Sequence, residues 1–218
     1  MIIENIFDDL IIKSKCKNAD LYKNQELTRT INDVFNFPKI QNRDRTLKGD
    51  SHKGSGLTTV SEVYLSLVHL PGFNNLTSWI TEQFLLAKEP LGLAKKGNEV
   101  YYKRSWANRL FLGGHGLCHN HTKVDNYIAN LTDYTNINFK PDAVGIFYVD
   151  VPENSSNLVF IKDGRPETWI EDYKKEDTYW LQPNEGELVI HSPELFHAVS
   201  THNSNLPRNV FVFDIEYV

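Results

Sequence analysis

The sequence has 218 residues, of which 40% are hydrophobic and 23% charged, and its 23 basic and 28 acidic residues give a formal net charge of -5. A chain of this length and composition buries enough surface to fold without a metal or a disulfide, which excludes the disordered and fibrous classes. The acidic balance and the lack of a long basic stretch argue against nucleic acid as a partner.

The two cysteines and the N-terminal segment indicate in which cellular compartment the protein is expected. Cys16 and Cys118 lie far apart in the sequence and belong to no CxxC pair. We therefore expect free thiols in a reducing, cytoplasmic environment. The chain does not start with a basic segment followed by an apolar run, and no stretch approaches the roughly 18 apolar residues of a membrane span. A membrane partner is not expected.

The first hundred residues contain two segments with helical spacing. Apolar residues over 27–35 predict a helix that ends near Pro38, because the residue before a proline is pushed out of the α region. A second apolar stripe over 76–87 predicts another helix, with Asn74 or Asn75 as its N-cap. The isoleucines at the very start of the chain fit a helix or an edge strand, and we favour a strand.

After residue 97 the composition changes to runs of β-branched and aromatic residues that are separated by Gly, Pro and Asn. This pattern is typical of strands joined by turns. Strands are predicted over 100–112, 143–151, 157–161, 187–191 and 209–217. Many short strands without helices between them indicate an antiparallel sandwich or barrel. We predict a single α+β, mainly β domain in which residues 1–98, helical or irregular, support a β core at 99–218.

Histidines are concentrated in the second half of the chain. Six of the eight lie between residues 115 and 202: His115, His119, His121, His191, His197 and His202. If the strand that resumes at residue 117 continues, His119 and His121 point to one face, because strand side chains alternate. A catalytic first-row metal needs a third ligand from another strand and open positions opposite. His197, which follows an apolar strand, is the candidate, and the other histidines are interpreted as ordinary core or surface residues.

Several short motifs follow one another in this part of the chain: Ser105-Trp106-Ala107-Asn108, Gly113-Gly114, His119-Asn120-His121, residues 145–152, residues 183–190, His197-Ala198-Val199 and Pro207-Arg208. In this order they resemble the motifs of 2-oxoglutarate- and iron(II)-dependent oxygenases, over residues 99–217. The resemblance implies a double-stranded β-helix (jelly-roll) core with Fe(II), 2-oxoglutarate and O₂. It also implies succinate and CO₂ as products and hydroxylation of a small molecule or a peptide side chain.

The resemblance also implies roles for individual residues. His119 and His121 occupy the first two metal positions and His197 the third, while Arg208 binds the distal carboxylate of 2-oxoglutarate through two parallel hydrogen bonds. Most of these oxygenases have Asp or Glu where this chain has His121. Either the triad consists of three histidines, or a carboxylate from the following segment replaces one of them. We rank His121 above Asp125, the first such carboxylate.

A second departure from the family pattern is Val210. The family commonly has a small hydroxyl residue two places after the arginine, where it helps to bind the same carboxylate. The chain therefore needs another donor. Asn108 and Tyr148, on strands that are predicted to flank the site, are the candidates.

Two other functions fit parts of the same pattern. A three-histidine cupin, such as a thiol dioxygenase, also uses H-x-H and a distant histidine, but it does not use 2-oxoglutarate. Its usual signature has a glutamate four residues after the pair, where this chain has Asp125. The other alternative is a jelly-roll binding module in which the histidines are structural. The sequence leaves the primary substrate and the oligomeric state open, a homodimer included.

Overall fold

The computed structural model describes residues 1–37, 56–59, 66–122 and 140–218, and of residues 52–53 the backbone only. The strands within these ranges are β1 Ile2–Ile6, β2 Asp9–Lys15, β3 His52–Lys53, β4 Gly56–Thr58, β5 Val100–Leu110, β6 His115–His119, β7 Ala143–Asp150, β8 Leu158–Ile161, β9 Thr178–Leu181, β10 Glu187–His191, β11 Phe196–Val199 and β12 Arg208–Tyr217. The helices are α1 Gln25–Phe35 and α2 Asn74–Ala87. None of the helices in the described ranges is long and apolar enough to cross a bilayer.

The strands form two antiparallel sheets. The larger sheet has the order β1-β2-β10-β7-β12-β5-β4, and the smaller one has the order β3-β6-β11-β8-β9. Residues of both sheets, such as Val212 of β12 and Phe160 of β8, belong to one apolar cluster, so the sheets pack face to face. The predicted fold class, mainly β with N-terminal helices, is confirmed.

The N-terminal part of the chain contributes more strand than expected. The preference for a strand at the start is confirmed, since β1 and β2 form a hairpin that extends the larger sheet. Strands β3 and β4 also join the sheets, so residues 1–98 are not only a helical or irregular support. The sequence was ambiguous because Ile11 and Ile12 of β2 are both fully buried, one in each of the two main apolar clusters. A strand buried on both faces has no period of two.

Both predicted helices are present and pack on the outer face of the larger sheet. Helix α1 begins after Asn24, whose side-chain oxygen accepts a hydrogen bond from the Leu27 N–H at 2.8 Å. The predicted asparagine cap of α2 is wrong, because Phe73 occupies the N-cap position and Asn74 is the first helical residue. Phe73 is fully buried, with its ring 4.9 Å from that of Phe211, so packing rather than capping sets this helix start.

Strand β12 divides its residues between the two faces of the larger sheet. Phe211 and Phe213 face the helices, whereas Val210 and Val212 face the smaller sheet. The same alternation places Arg208 on the face of Val210 and Val212, between the two sheets.

Phe147 of β7 is central to the apolar cluster under the helices. Its ring is fully buried and lies 5.3 Å from the ring of Tyr22 and 5.9 Å from that of Trp79. We expect Phe147→Ala to lower the free energy of unfolding by about 3–5 kcal/mol, because the lost burial is accompanied by a cavity. Denaturant titration measures this loss, and Leu112→Ala, at a residue that is 55% exposed, serves as the control. A loss below about 1 kcal/mol would contradict the packing described.

Candidate metal and cosubstrate site

Three histidines from neighbouring segments meet between the sheets, and we call His119, His121 and His197 the histidine cluster. His119 ends β6 and pairs in register with His197 of β11. His121 lies two residues beyond β6, where its N–H donates to the Pro193 carbonyl at 2.9 Å. One ligand atom of each histidine lies within 4.8 Å of those of the other two. The structure thus brings together the three residues that the sequence predicted as ligands.

The hydrogen bonds of these histidines orient their rings. Each Nδ1 lies near an oxygen: 2.8 Å from Leu117 O for His119 and 3.3 Å from Leu195 O for His197. For His121 the distance from Nδ1 to Asp214 Oδ1 is 2.6 Å. Carbonyl and carboxylate oxygens accept hydrogen bonds, so Nδ1 is the donor in each of these contacts.

Burial keeps two rings of the cluster neutral. Loss of hydration lowers the pKa of His119 to about 4, and it lowers the pKa of His197 well below its usual value. Neutral imidazoles whose lone pairs converge within a few ångströms suit a first-row metal such as iron. The donor set of the histidine cluster therefore fits Fe(II).

A buried carboxylate stands behind His121. Asp214 of β12 has no exposed surface, and its Oδ2 accepts two hydrogen bonds from Arg104, the one from Nε at 2.8 Å. Burial alone would raise the pKa of Asp214, but Arg104 and His121 together hold it at about 2. Trp106 stacks on His121 with 5.6 Å between ring centroids, and the Arg104 guanidinium lies 5.1 Å from the Trp106 ring. Sequence reasoning missed Asp214 and Arg104.

A cavity of about 500 Å³, which includes its part open to solvent, adjoins the cluster. Its lining residues are Trp106, Asn108, Leu110, His119, His121, Ile146, Tyr148, Leu158, His197, Val199, Arg208, Val210 and Val212. Several buried polar atoms on these walls have no hydrogen-bond partner within the described residues: Trp106 Nε1, Asn108 Oδ1, Tyr148 Oη and Arg208 Nε. Unpaired buried polar atoms on an apolar wall indicate a polar ligand.

Arg208 is the most unusual residue of this cavity. It is only 2% exposed, although it is a charged residue. Its guanidinium donates to Ser156 Oγ at 2.5 Å and lies 4.9 Å from the centroid of the Tyr148 ring. No carboxylate of the described residues forms an ion pair with it. A buried cation without an anion is costly, so this arrangement fits an anionic ligand such as the distal carboxylate of 2-oxoglutarate.

The two candidate donors flank the position where the family has a hydroxyl residue. Val210 of β12 pairs in register with Asn108 of β5 on one side and with Tyr148 of β7 on the other. All three line the cavity together with Arg208. Loss of hydration raises the pKa of Tyr148 to about 12, so its hydroxyl keeps its proton and can donate.

Other histidines and the alternative ligand have different positions. His191 was interpreted as an ordinary histidine, but it is fully buried with its ring centroid 4.9 Å from that of His197. Its Nδ1 lies 2.8 Å from Ser192 O, and its Nε2 has no partner within the described ranges. His115 instead lies against Trp169, with 4.6 Å between centroids. Asp125 lies outside the described residues.

Sequence comparison gives one family match. Residues 132–214 match the family described as "Putative 2OG-Fe(II) oxygenase". The matched segment includes His197, Arg208 and Asp214. No curated protein sequence is significantly similar to the chain.

Solved structures resemble the whole fold at low sequence identity. A prolyl-4-hydroxylase from Pseudomonas putida is 10% identical with a TM-score of 0.56, and the match covers 95% of this chain and 92% of that one. HygX from Streptomyces hygroscopicus, solved with nickel and 2-oxoglutarate, is 9% identical with a TM-score of 0.51, covering 95% and 83%. SnoN, an α-ketoglutarate-dependent epimerase from nogalamycin biosynthesis, is 8% identical with a TM-score of 0.52, covering 95% and 77%. The chain is therefore similar to the 2OG-Fe(II) oxygenases in its matched segment, and it shares the jelly-roll fold of these solved structures.

Proposed function

We propose that the histidine cluster binds Fe(II) and that Arg208 binds the distal carboxylate of 2-oxoglutarate, with Asn108 and Tyr148 as further contacts. The observation that carries this proposal is the buried Arg208 guanidinium, which shares one cavity with the cluster and has no carboxylate partner among the described residues. The anion site also favours 2-oxoglutarate chemistry over a three-histidine cupin, which has no distal carboxylate to bind.

When bound, Fe(II) with 2-oxoglutarate and O₂ supplies the oxidation of a substrate C–H bond, and 2-oxoglutarate becomes succinate and CO₂. The chain's own residues provide placement. Hydrogen bonds at Nδ1 orient the three rings of the cluster, and one nitrogen of each ring would hold the metal. Arg208 orients the cosubstrate from the far side of the cavity. Apolar side chains such as Ile146, Leu158 and Val212 line the space between and limit the access of water.

The direct test is an anaerobic titration with Fe(II), followed by addition of 2-oxoglutarate and O₂ and measurement of succinate. We expect binding of one Fe(II) per chain and slow formation of succinate even without the primary substrate. A cupin-type dioxygenase would bind the metal but leave 2-oxoglutarate unchanged. A binding module with structural histidines would bind no stoichiometric iron.

The Tyr148 hydroxyl offers a finer test of the cosubstrate site. We expect Tyr148→Phe to raise the KM for 2-oxoglutarate about 3- to 10-fold, which corresponds to the loss of one hydrogen bond, with kcat within about twofold of wild type. Steady-state succinate assays measure both constants. Tyr179→Phe is the matched control, because its hydroxyl donates to Glu4 Oε2 at 2.8 Å and does not line the cavity. An unchanged KM for Tyr148→Phe would remove Tyr148 from the site.

For the substrate we propose hydroxylation of a small molecule or a peptide side chain rather than of nucleic acid. The formal charge of -5 supports this choice, because polyanions are repelled. We also propose a cytoplasmic location. Cys16 and Cys118 are both free and buried, which suits a reducing compartment. Screening metabolite and peptide pools for substrate-stimulated succinate formation would identify the substrate.

A further inference from the structure

We propose that Asp214 supplies to the metal site, through His121, the negative charge that a carboxylate ligand supplies directly in H-x-D and H-x-E triads. This inference rests on the proposed function, and in particular on His121 as a ligand. It assigns Asp214 as a positioning residue, since it acts through an imidazole and does not itself reach the cavity lining.

The first support is the difference among the three histidines. Among the contacts of the described residues, His121 Nδ1 has an anionic partner, Asp214 Oδ1, whereas the Nδ1 atoms of His119 and His197 lie near neutral backbone carbonyls. A carboxylate on Nδ1–H fixes the ring orientation and makes the opposite nitrogen a better electron donor to a metal. His121 stands where H-x-D and H-x-E triads have a ligand carboxylate, and it is also the histidine whose Nδ1 contacts a carboxylate.

The second support is the way in which the carboxylate is held. Asp214 pairs in register with Arg104 of β5, which occupies Oδ2 with two hydrogen bonds and leaves Oδ1 for His121. Trp106, two residues further along β5, stacks on the other side of the His121 ring. The ring is thus fixed by the carboxylate at one edge and by an indole on one face, as a preorganised ligand requires.

The third support is charge. Three neutral imidazoles offset none of the charge of a divalent cation, and burial makes unbalanced charge costly. Asp214 brings one negative charge to within one imidazole of the cluster, in a region where solvent screens little. Arg104, whose side chain is 12% exposed, pairs with the other oxygen of this carboxylate, Oδ2.

The first experiment compares Asp214→Asn with wild type in anaerobic Fe(II) and Co(II) titrations. Asparagine keeps the size and an acceptor oxygen but removes the charge, so we expect metal affinity to fall about 10- to 100-fold. Glu216→Gln is the matched control, because Glu216 is also on β12 and pairs with Lys103 of β5 at 3.1 Å, away from the cluster. The control should bind metal like wild type. Affinity of Asp214→Asn within twofold of wild type overturns the inference.

The second experiment transfers the negative charge from position 214 to position 121. If Asp214 had only a structural role, this transfer would not restore metal binding. His121→Asp alone places two carboxylates side by side, whereas His121→Asp combined with Asp214→Asn has one carboxylate at the ligand position. We expect the double variant to bind Co(II) more tightly than either single variant. A double variant no tighter than Asp214→Asn overturns the inference. If wild type binds no metal, the proposed function fails as well, whereas metal-binding wild type with an unaffected Asp214→Asn defeats this inference alone.

Discussion

Replacing His197 with alanine is expected to abolish stoichiometric Fe(II) binding and to reduce 2-oxoglutarate turnover to below about 1% of wild type. His197 pairs in register with His119 across β11 and β6, so its loss leaves two imidazoles on one side of the site. Removing a hydrogen-bond partner behind a ligand already costs about 10- to 100-fold in affinity, and removing a ligand costs more. Iron content after anaerobic loading and succinate formation measure the two effects.

The control for this change is His115→Ala. His115 lies on the same strand as His119, but its ring contacts Trp169 and is not part of the cluster. We expect this variant to keep wild-type iron content. Circular dichroism of both metal-free variants checks that they are folded, and His119→Ala provides a second test of the same site. Full iron content in both His197→Ala and His119→Ala would refute the histidine cluster as the metal site.

Arg208→Met is expected to raise the KM for 2-oxoglutarate by about 30- to 4000-fold, while Fe(II) affinity stays within about threefold of wild type. Loss of one partner of a buried charge pair costs about 2–5 kcal/mol, and each 1.4 kcal/mol is tenfold. In the ligand-free protein the same change removes a buried cation without a carboxylate partner in the described ranges. We therefore expect the free energy of unfolding to fall by no more than about 1 kcal/mol.

The control is Arg109→Met, on the strand position next to Asn108. Arg109 donates to Asn209 Oδ1 at 2.7 Å and to Asn32 Oδ1 at 2.9 Å, and it does not line the cavity. We expect an unchanged KM for 2-oxoglutarate in this variant. If Arg208→Met lost stability but kept its KM, Arg208 would be a structural residue and the carboxylate site would lie elsewhere.

The local pattern of the sequence was sufficient for much of the fold. Both helices follow from apolar residues at helical spacing, because each buries one face against the larger sheet. The later strands follow from β-branched and aromatic runs between turns, and β10 has the predicted bounds, Glu187–His191. The N-terminal hairpin was harder, since β2 is buried on both faces and its pattern does not distinguish strand from helix.

The sequence by itself determined which residues are candidates for binding a metal and an anion. The H-x-H pair, a third histidine at a strand and an arginine at the start of the last strand follow from residue type and spacing alone. The structure brings all four to one cavity. The sequence also marked Asp214 as unusual, because it is a single acidic residue in the apolar run Val210-Phe211-Val212-Phe213-Asp214-Ile215. The run does not indicate which residue this acid pairs with.

Only the tertiary structure decided what surrounds these residues. Strand pairing places Arg104 opposite Asp214. It also places Asn108 and Tyr148 on either side of Val210. The paired residues are far apart in the sequence. Such pairings depend on strand order and register, which local pattern does not encode. Burial is likewise decided by the tertiary structure: Arg208 is buried without a carboxylate partner among the described residues, and His121 contacts Asp214, a carboxylate from a distant strand.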